Sequence, residues 1–258
     1  MKQLMVDINS DVGESFGPYR MGNDEELFPW ITSANIACGF HAGDPGTMRR
    51  TLGLAARHHV SAGAHPGFPD RLHFGRIALP CSNEEITDFV IYQIGALQLM
   101  AESEGVALHH VKLHGALYHM AAENRRLSES LLEAIVQLRH SLIVVGPPDC
   151  VLQNEAEERG LDYASEGFAD RAYQEDGRLA PRTHARALLT APQEAADQAV
   201  RMVKTHKVKS LSGALIEQRV STLCIHGDTP NASAIAQAVR RRLEAEKIVV
   251  QPLHKILA

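Results

Sequence analysis

Short, continuously apolar runs alternate with longer stretches of helical period along nearly the whole chain, and this alternation restricts the fold more than any other feature. The runs occupy 4–9, 34–38, 60–64, 110–114, 142–146, a weaker 162–166, and 222–226, with a further candidate at 248–251. Unbroken apolarity suits strands buried on both faces, as in parallel sheets. Segment 83–104 carries Ile86, Phe89, Val90, Ile94, Leu97 and Met100 at helical spacing behind a Ser82-x-x-Glu85 capping box, and Gly105 reads as its stop. Asp44-Pro45 and Thr229-Pro230 each read as a cap followed by a first-turn proline, and helices are predicted over 126–139, 149–159 and 192–206. Seven or eight such units predict an α/β fold, specifically a (β/α) barrel, seven-stranded and irregular, over an open doubly wound sheet. No Pro/Ser-rich linker interrupts residues 1–258, which read as one barrel domain with 167–190 as a long functional loop.

Charge and composition narrow the function. Lys and Arg number 26 against 31 Asp and Glu, a formal charge of −5, and no basic stripe stands out beyond Arg240-Arg241-Arg242, which reads as a solvated helix face. A nucleic-acid partner is therefore not expected. No run approaches the roughly 20 apolar residues of a membrane span, and Asp7 comes too early for a signal-peptide core, so a membrane is not expected either. Cys38, Cys81, Cys150 and Cys224 form no C-x-x-C pair and read as buried free thiols of a cytoplasmic protein. Self-association is left open. G-x-x-x-x-G-K-[ST], G-x-G-x-x-G and G-x-S-x-G are all absent.

Chemistry collects where the predicted strands end. Asp11 follows the first, His41 the second, His65 and Arg71 the third, Lys112 and His114 the fourth, Asp170 and Arg171 the sixth, and His226 and Asp228 the seventh, most beside a glycine. In a parallel barrel these ends share one face, where active sites are built, and glycine permits close backbone approach to a ligand. Lys112 and His114 alternate onto one side of their strand, and a lysine pointing inward needs a carboxylate or a bound anion. Asp11, His41 and His65 offer two nitrogens and an oxygen to a cation such as zinc, although H-E-x-x-H is absent and the metal stays unassigned. His41-Ala42-Gly43-Asp44-Pro45 and His226-Gly227-Asp228-Thr229-Pro230 echo each other, and the helix N-terminus each opens would suit a carboxylate or phosphate.

These same residues carry a family resemblance. The blocks Asp7-Ile8-Asn9-Ser10-Asp11-Val12-Gly13-Glu14, Ser33 through Asp44, Gly63-Ala64-His65-Pro66 through Asp70-Arg71, Phe74-Gly75-Arg76, His114-Gly115-Ala116-Leu117-Tyr118, Phe168-Ala169-Asp170-Arg171-x-Tyr173, Pro181-Arg182 and His226-Gly227-Asp228 resemble the LamB/YcsF family over essentially the whole chain. Leu113 and His119 depart from it, standing where proline and asparagine are usual. The resemblance implies a barrel similar to the glycoside hydrolase and polysaccharide deacetylase group. It also implies the A-subunit part of an ATP-dependent 5-oxoprolinase, which converts 5-oxo-L-proline, ATP and water to L-glutamate, ADP and phosphate with subunits B and C as partners. On that expectation ATP, with Mg²⁺, binds here or on a partner. Asp11, His41, His65, Lys112, His114 and Asp170 are then catalytic candidates, Asp11 or Asp170 holding Mg²⁺ or acting as base. Arg71, Arg171, His226 and Asp228 are cofactor-binding candidates. The competing readings are a metal-dependent amidase or deacetylase that needs no ATP, and a non-catalytic subunit that binds the lactam.

Overall fold

The computed structural model describes residues 3–138 and 141–257. In chain order the elements are β1 (Met5–Val12), α1 (Asp24–Leu27), β2 (Ser33–Ala37), α2 (Pro45–His58), β3 (Ser61–His65), α3 (Asn83–Ser103), β4 (Leu108–Lys112), α4 (Gly115–Glu123), α5 (Arg125–Gln137) and β5 (Ile143–Gly146). They continue with α6 (Val151–Glu158), β6 (Tyr163–Phe168), α7 (Pro192–Thr205), β7 (Lys207–Lys209), β8 (Leu215–Glu217), β9 (Thr222–Cys224), α8 (Ala232–Ala245), β10 (Val249–Val250) and α9 (Leu253–Ile256). Among the described residues β1, β2, β3, β4, β5, β6 and β9 close into a parallel barrel through the β9–β1 pairing, and β10 adds to the start of β1. The expected seven-stranded (β/α) barrel is thus present.

Local chemistry explains most element boundaries. Ser82 accepts from the Glu85 N–H at 3.2 Å, and the Glu85 carboxylate accepts from the Ser82 N–H at 2.8 Å, so the capping box forms at the head of α3. Asp44 accepts from the Thr47 N–H at 2.9 Å and Pro45 opens α2. At the second echoing segment the helix starts later than expected. Thr229 and Pro230 lie before it, and α8 begins at Ala232 behind Asn231. Not expected were α4, the one-turn helices α1 and α9, and the antiparallel β7–β8 hairpin, whose strands are three residues each. The predicted helix at 126–139 is α5, and residue 139 lies outside the described residues.

The outward face of the strands packs on the helices through residues such as Ile8, Ile36 and Leu223. The inside is polar. Asp7 accepts from the hydroxyls of Thr32 and Ser33, each at 2.7 Å, and from Thr222 across the closing seam. The Asn9 amide donates to Thr222 at 2.7 Å, Asn35 donates to Asn9 Oδ1 at 2.7 Å, and His110 Nε2 donates to Asn35 Oδ1 at 2.8 Å. Because that oxygen only accepts, His110 carries its proton on Nε2. Burial lowers its pKa to about 3.

Burial raises the Asp7 pKa to about 6, the three hydroxyl bonds only partly opposing it. The folded protein therefore favours the neutral acid. Below the ordinary value both states are protonated and stability is unaffected. As pH rises through about 4 to 6 the unfolded chain ionises first, and about 3 kcal/mol of stability is lost. Urea unfolding of wild type and Asp7→Asn from pH 4 to 7 measures this as the difference between the two profiles. Superimposable pH slopes would refute it.

Candidate active site

The carboxyl ends of β1, β3, β4 and β6 bring together one charged cluster beneath one imidazole cluster. Lys112, the last residue of β4, is its hub, with Nζ 2.9 Å from Asp11 Oδ1 and 2.8 Å from Glu166 Oε1 of β6. It also donates to Cys224 Sγ at 3.2 Å. The lysine expected to need a counter-charge has two. Burial disfavours its ammonium, but Asp11 and Glu166 more than offset this and hold its pKa well above the usual lysine value. Asp11 is also buried, yet His65 and Lys112 beside it keep its carboxyl well below the usual range. Its Oδ1 accepts from Asn35 at 2.8 Å, while Oδ2 lies 3.4 Å from His65 Nε2.

Three imidazoles lie above this pair of acids. His65 ends β3 and donates from Nδ1 to the Lys112 carbonyl at 2.7 Å. His114, before α4, donates from Nε2 to the Phe74 carbonyl at 2.8 Å. His41, on the loop after β2, stacks on His114 with centroids 3.7 Å apart and rings 3° from parallel. Burial first, then crowding by the neighbouring rings, keeps His41 and His114 well below the usual histidine pKa, so both are neutral. The glycines here serve the rings rather than a ligand. A Cβ on Gly67 would lie 2.7 Å from His41 Nδ1, and one on Gly75 would lie 2.9 Å from His41 Cβ. Glu14 closes the cluster, 3.9 Å from His41 Nε2, and burial followed by repulsion from Asp11 raises its pKa well above the usual value.

Glu14 and His41 form the floor of a cavity of about 240 Å³ whose wall includes Phe16, Tyr19, Arg71 and Phe74. Arg71 lies over the Phe16 ring at 3.7 Å and donates to the Gly39 carbonyl at 2.6 Å. Asp228 pairs with Arg76 at 2.7 Å and Arg182 at 3.5 Å, outside the residues that line this cavity.

The remaining candidates are placed differently. Asp170 accepts from the His226 N–H at 3.0 Å, His226 Nδ1 at 3.1 Å and the Thr229 hydroxyl at 2.6 Å, which ties the end of β6 to the loop after β9. Burial would raise the Asp170 pKa, but these donors hold it low. Arg171 is buried among carbonyls of its own loop, donating to Ala180 at 2.7 Å and Ala187 at 3.3 Å, and does not reach the cavity. The helix N-terminus at α2 is taken by Asp44, which accepts from both Thr47 and Gly17. Asp11 Oδ2 lies 3.4 Å from His65 Nε2, but Asp11, His41 and His65 do not bring their donor atoms into one group, and Asp11 Oδ1 is taken by Lys112 and Asn35. Sequence reasoning missed Glu14, Glu166 and Asn35. Glu166 had a signal, a carboxylate at the end of a predicted strand in a fold that already buried a lysine. Cys38 and Cys224 are buried free thiols as expected, whereas Cys81 and Cys150 are only half-buried. No helix among the described residues is long and apolar enough to cross a membrane.

Ionisable groups gathered at the carboxyl end of a closed parallel barrel define the enzyme-bearing face of a TIM-like barrel. The sequence model of the LamB/YcsF family matches residues 6–258, and the chain belongs to that family. It is 50% identical over 246 residues to a protein of Bacillus licheniformis named as the A subunit of 5-oxoprolinase, covering 95% of this chain and 97% of that one. A protein of the same name from Pyrococcus abyssi is 47% identical over 250 residues, covering 97% and 98%. The crystal structure of the lactam utilization protein from Thermus thermophilus superposes with a TM-score of 0.90 at 45% identity, covering 96% of this chain and 99% of that one.

Proposed function

We propose that this chain is the A subunit of an ATP-dependent 5-oxoprolinase, working with subunits B and C in the cytoplasm to open the lactam of 5-oxo-L-proline. The carrying observation is the cavity over Glu14 and His41: at about 240 Å³ it is smaller than the roughly 300–1,000 Å³ of drug-sized sites and suits a small cyclic amide. ATP, accompanied by Mg²⁺, is the co-substrate in this reading, its adenosine lying outside so small a cavity. Asp170 already spends both carboxylate oxygens on protein donors and Asp11 spends Oδ1 on Lys112 and Asn35, so neither offers Mg²⁺ more than one free oxygen.

A lactam resists water because its nitrogen is conjugated with its carbonyl and leaves poorly. Phosphorylating the carbonyl oxygen makes the carbon electrophilic, and the site must then take a proton from water and supply one to the ring nitrogen. Arg71 lines the cavity and is the cation placed to meet a substrate carboxylate or phosphoryl group, while Arg76 and Arg182 are held by Asp228. His41 lines the cavity, and His114, His65 and Asp11 lie in contact behind it as a path for proton transfer. Lys112, held by two carboxylates, is a positioning residue for Asp11. The test is 5-oxoproline-dependent ADP release by subunits B and C with and without this chain. Release is expected only when all three are present. Equal release without the chain would overturn the reading, and glutamate formed without ATP would replace it with ATP-independent amide hydrolysis.

A further inference from the structure

We propose that Glu14, His41, His65 and His114 form a binding site for one divalent metal ion of the zinc type, whichever substrate the cavity takes. Three observations require it together. Backbone carbonyls only accept, so His65 is protonated on Nδ1 and His114 on Nε2. The opposite nitrogens, His65 Nε2 and His114 Nδ1, then face each other at 2.9 Å, with Asp11 Oδ2 a further 3.4 Å from His65 Nε2, so acceptors converge there unless a proton or a cation lies among them. Next, His41 is buried with neither ring nitrogen hydrogen-bonded to any described residue. Finally, the buried Glu14 carboxyl has no lysine or arginine within ion-pair distance among the described residues. A proton shared by His65 and His114 would answer only the first. A cation answers all three.

One donor atom from each residue lies within 4.8 Å of the others. Zinc bonds of about 2.0–2.1 Å put tetrahedral donors about 3.4 Å apart. The two side chains that must travel, His41 and Glu14, are the two that no hydrogen bond holds. A carbonyl on the far nitrogen is the usual means of aiming a metal-binding imidazole. Three nitrogens and one carboxylate favour zinc or its first-row neighbours over Mg²⁺, which prefers oxygen. Loading the cluster commits the imidazoles and leaves Asp11 as the proton acceptor.

Full-length chain stripped with chelator is titrated with Zn²⁺, and with Co²⁺ as the spectroscopic probe. One equivalent is expected to bind, raising Tm and giving visible Co²⁺ absorption. Glu14→Gln, which is nearly isosteric, and His41→Ala, which breaks no hydrogen bond, are each expected to weaken binding by more than about 100-fold with unchanged circular dichroism. No saturable binding, or binding that both folded variants retain, overturns the proposal. The readout is metal binding to the chain alone, so its failure is distinguishable from failure of 5-oxoproline turnover in the three-subunit mixture.

Discussion

Lys112→Met is expected to lower the unfolding free energy by about 3–5 kcal/mol at pH 7. Wild-type Lys112 neutralises Asp11 and Glu166 from a position where all three side chains are nearly sealed from solvent. Methionine fills the volume but leaves two carboxylates in a place that water cannot reach, and removing one partner of a buried pair is costly for that reason. The triple variant Lys112→Met/Asp11→Asn/Glu166→Gln deletes the charges together and should recover much of the loss. The single variant should also recover part of the loss in acid, because burial favours protonated Asp11 and, with the ammonium gone, only the neighbouring imidazoles still oppose it. Urea unfolding at pH 7 and pH 5 reads all of these. A Lys112→Met protein within about 1 kcal/mol of wild type at pH 7 would show that the triad does not govern stability.

Asp11→Asn should leave the fold nearly intact and reduce 5-oxoproline-dependent ADP release by about 10²- to 10⁴-fold, the range that a positioned acid or base contributes. Asparagine keeps an oxygen for Lys112, and Lys112 keeps Glu166 at 2.8 Å, so no charge is stranded. What disappears is the carboxylate oxygen beside His65, 3.4 Å from Nε2. The measurement is turnover by the reconstituted complex alongside Tm. Full activity in a folded Asp11→Asn protein would remove Asp11 from the chemistry. The two variants should thus separate, one failing mainly in stability and the other mainly in rate.

The barrel was legible in the sequence because a strand buried on both faces must be apolar throughout, and seven such runs coincide with β1, β2, β3, β4, β5, β6 and β9. Lys112 was legible for the opposite reason, as a charge where none belongs. The hairpin β7–β8 was not, because Lys207-Val208-Lys209 carries too little apolar pattern to register. Glu14 was missed because it lies past the end of β1, and only the three-dimensional path of its loop buries it. The strand-end rule gathered Asp11, His41, His65 and His114, which lie together in the fold, but also swept in Arg171. Its guanidinium instead holds its own loop together, a distinction that spacing along a chain does not contain.

The polar interior also says how the protein must be made. Asp7 and Thr222, bonded across the closing seam, are 215 residues apart in the chain. Until the last barrel strand has left the ribosome, the first has only one of its neighbours, and the inward-facing polar groups stay wet. A nascent or truncated chain ending before residue 222 has little reason to settle into a stable part-barrel, and so long-range a closure makes acquisition of the native state slow.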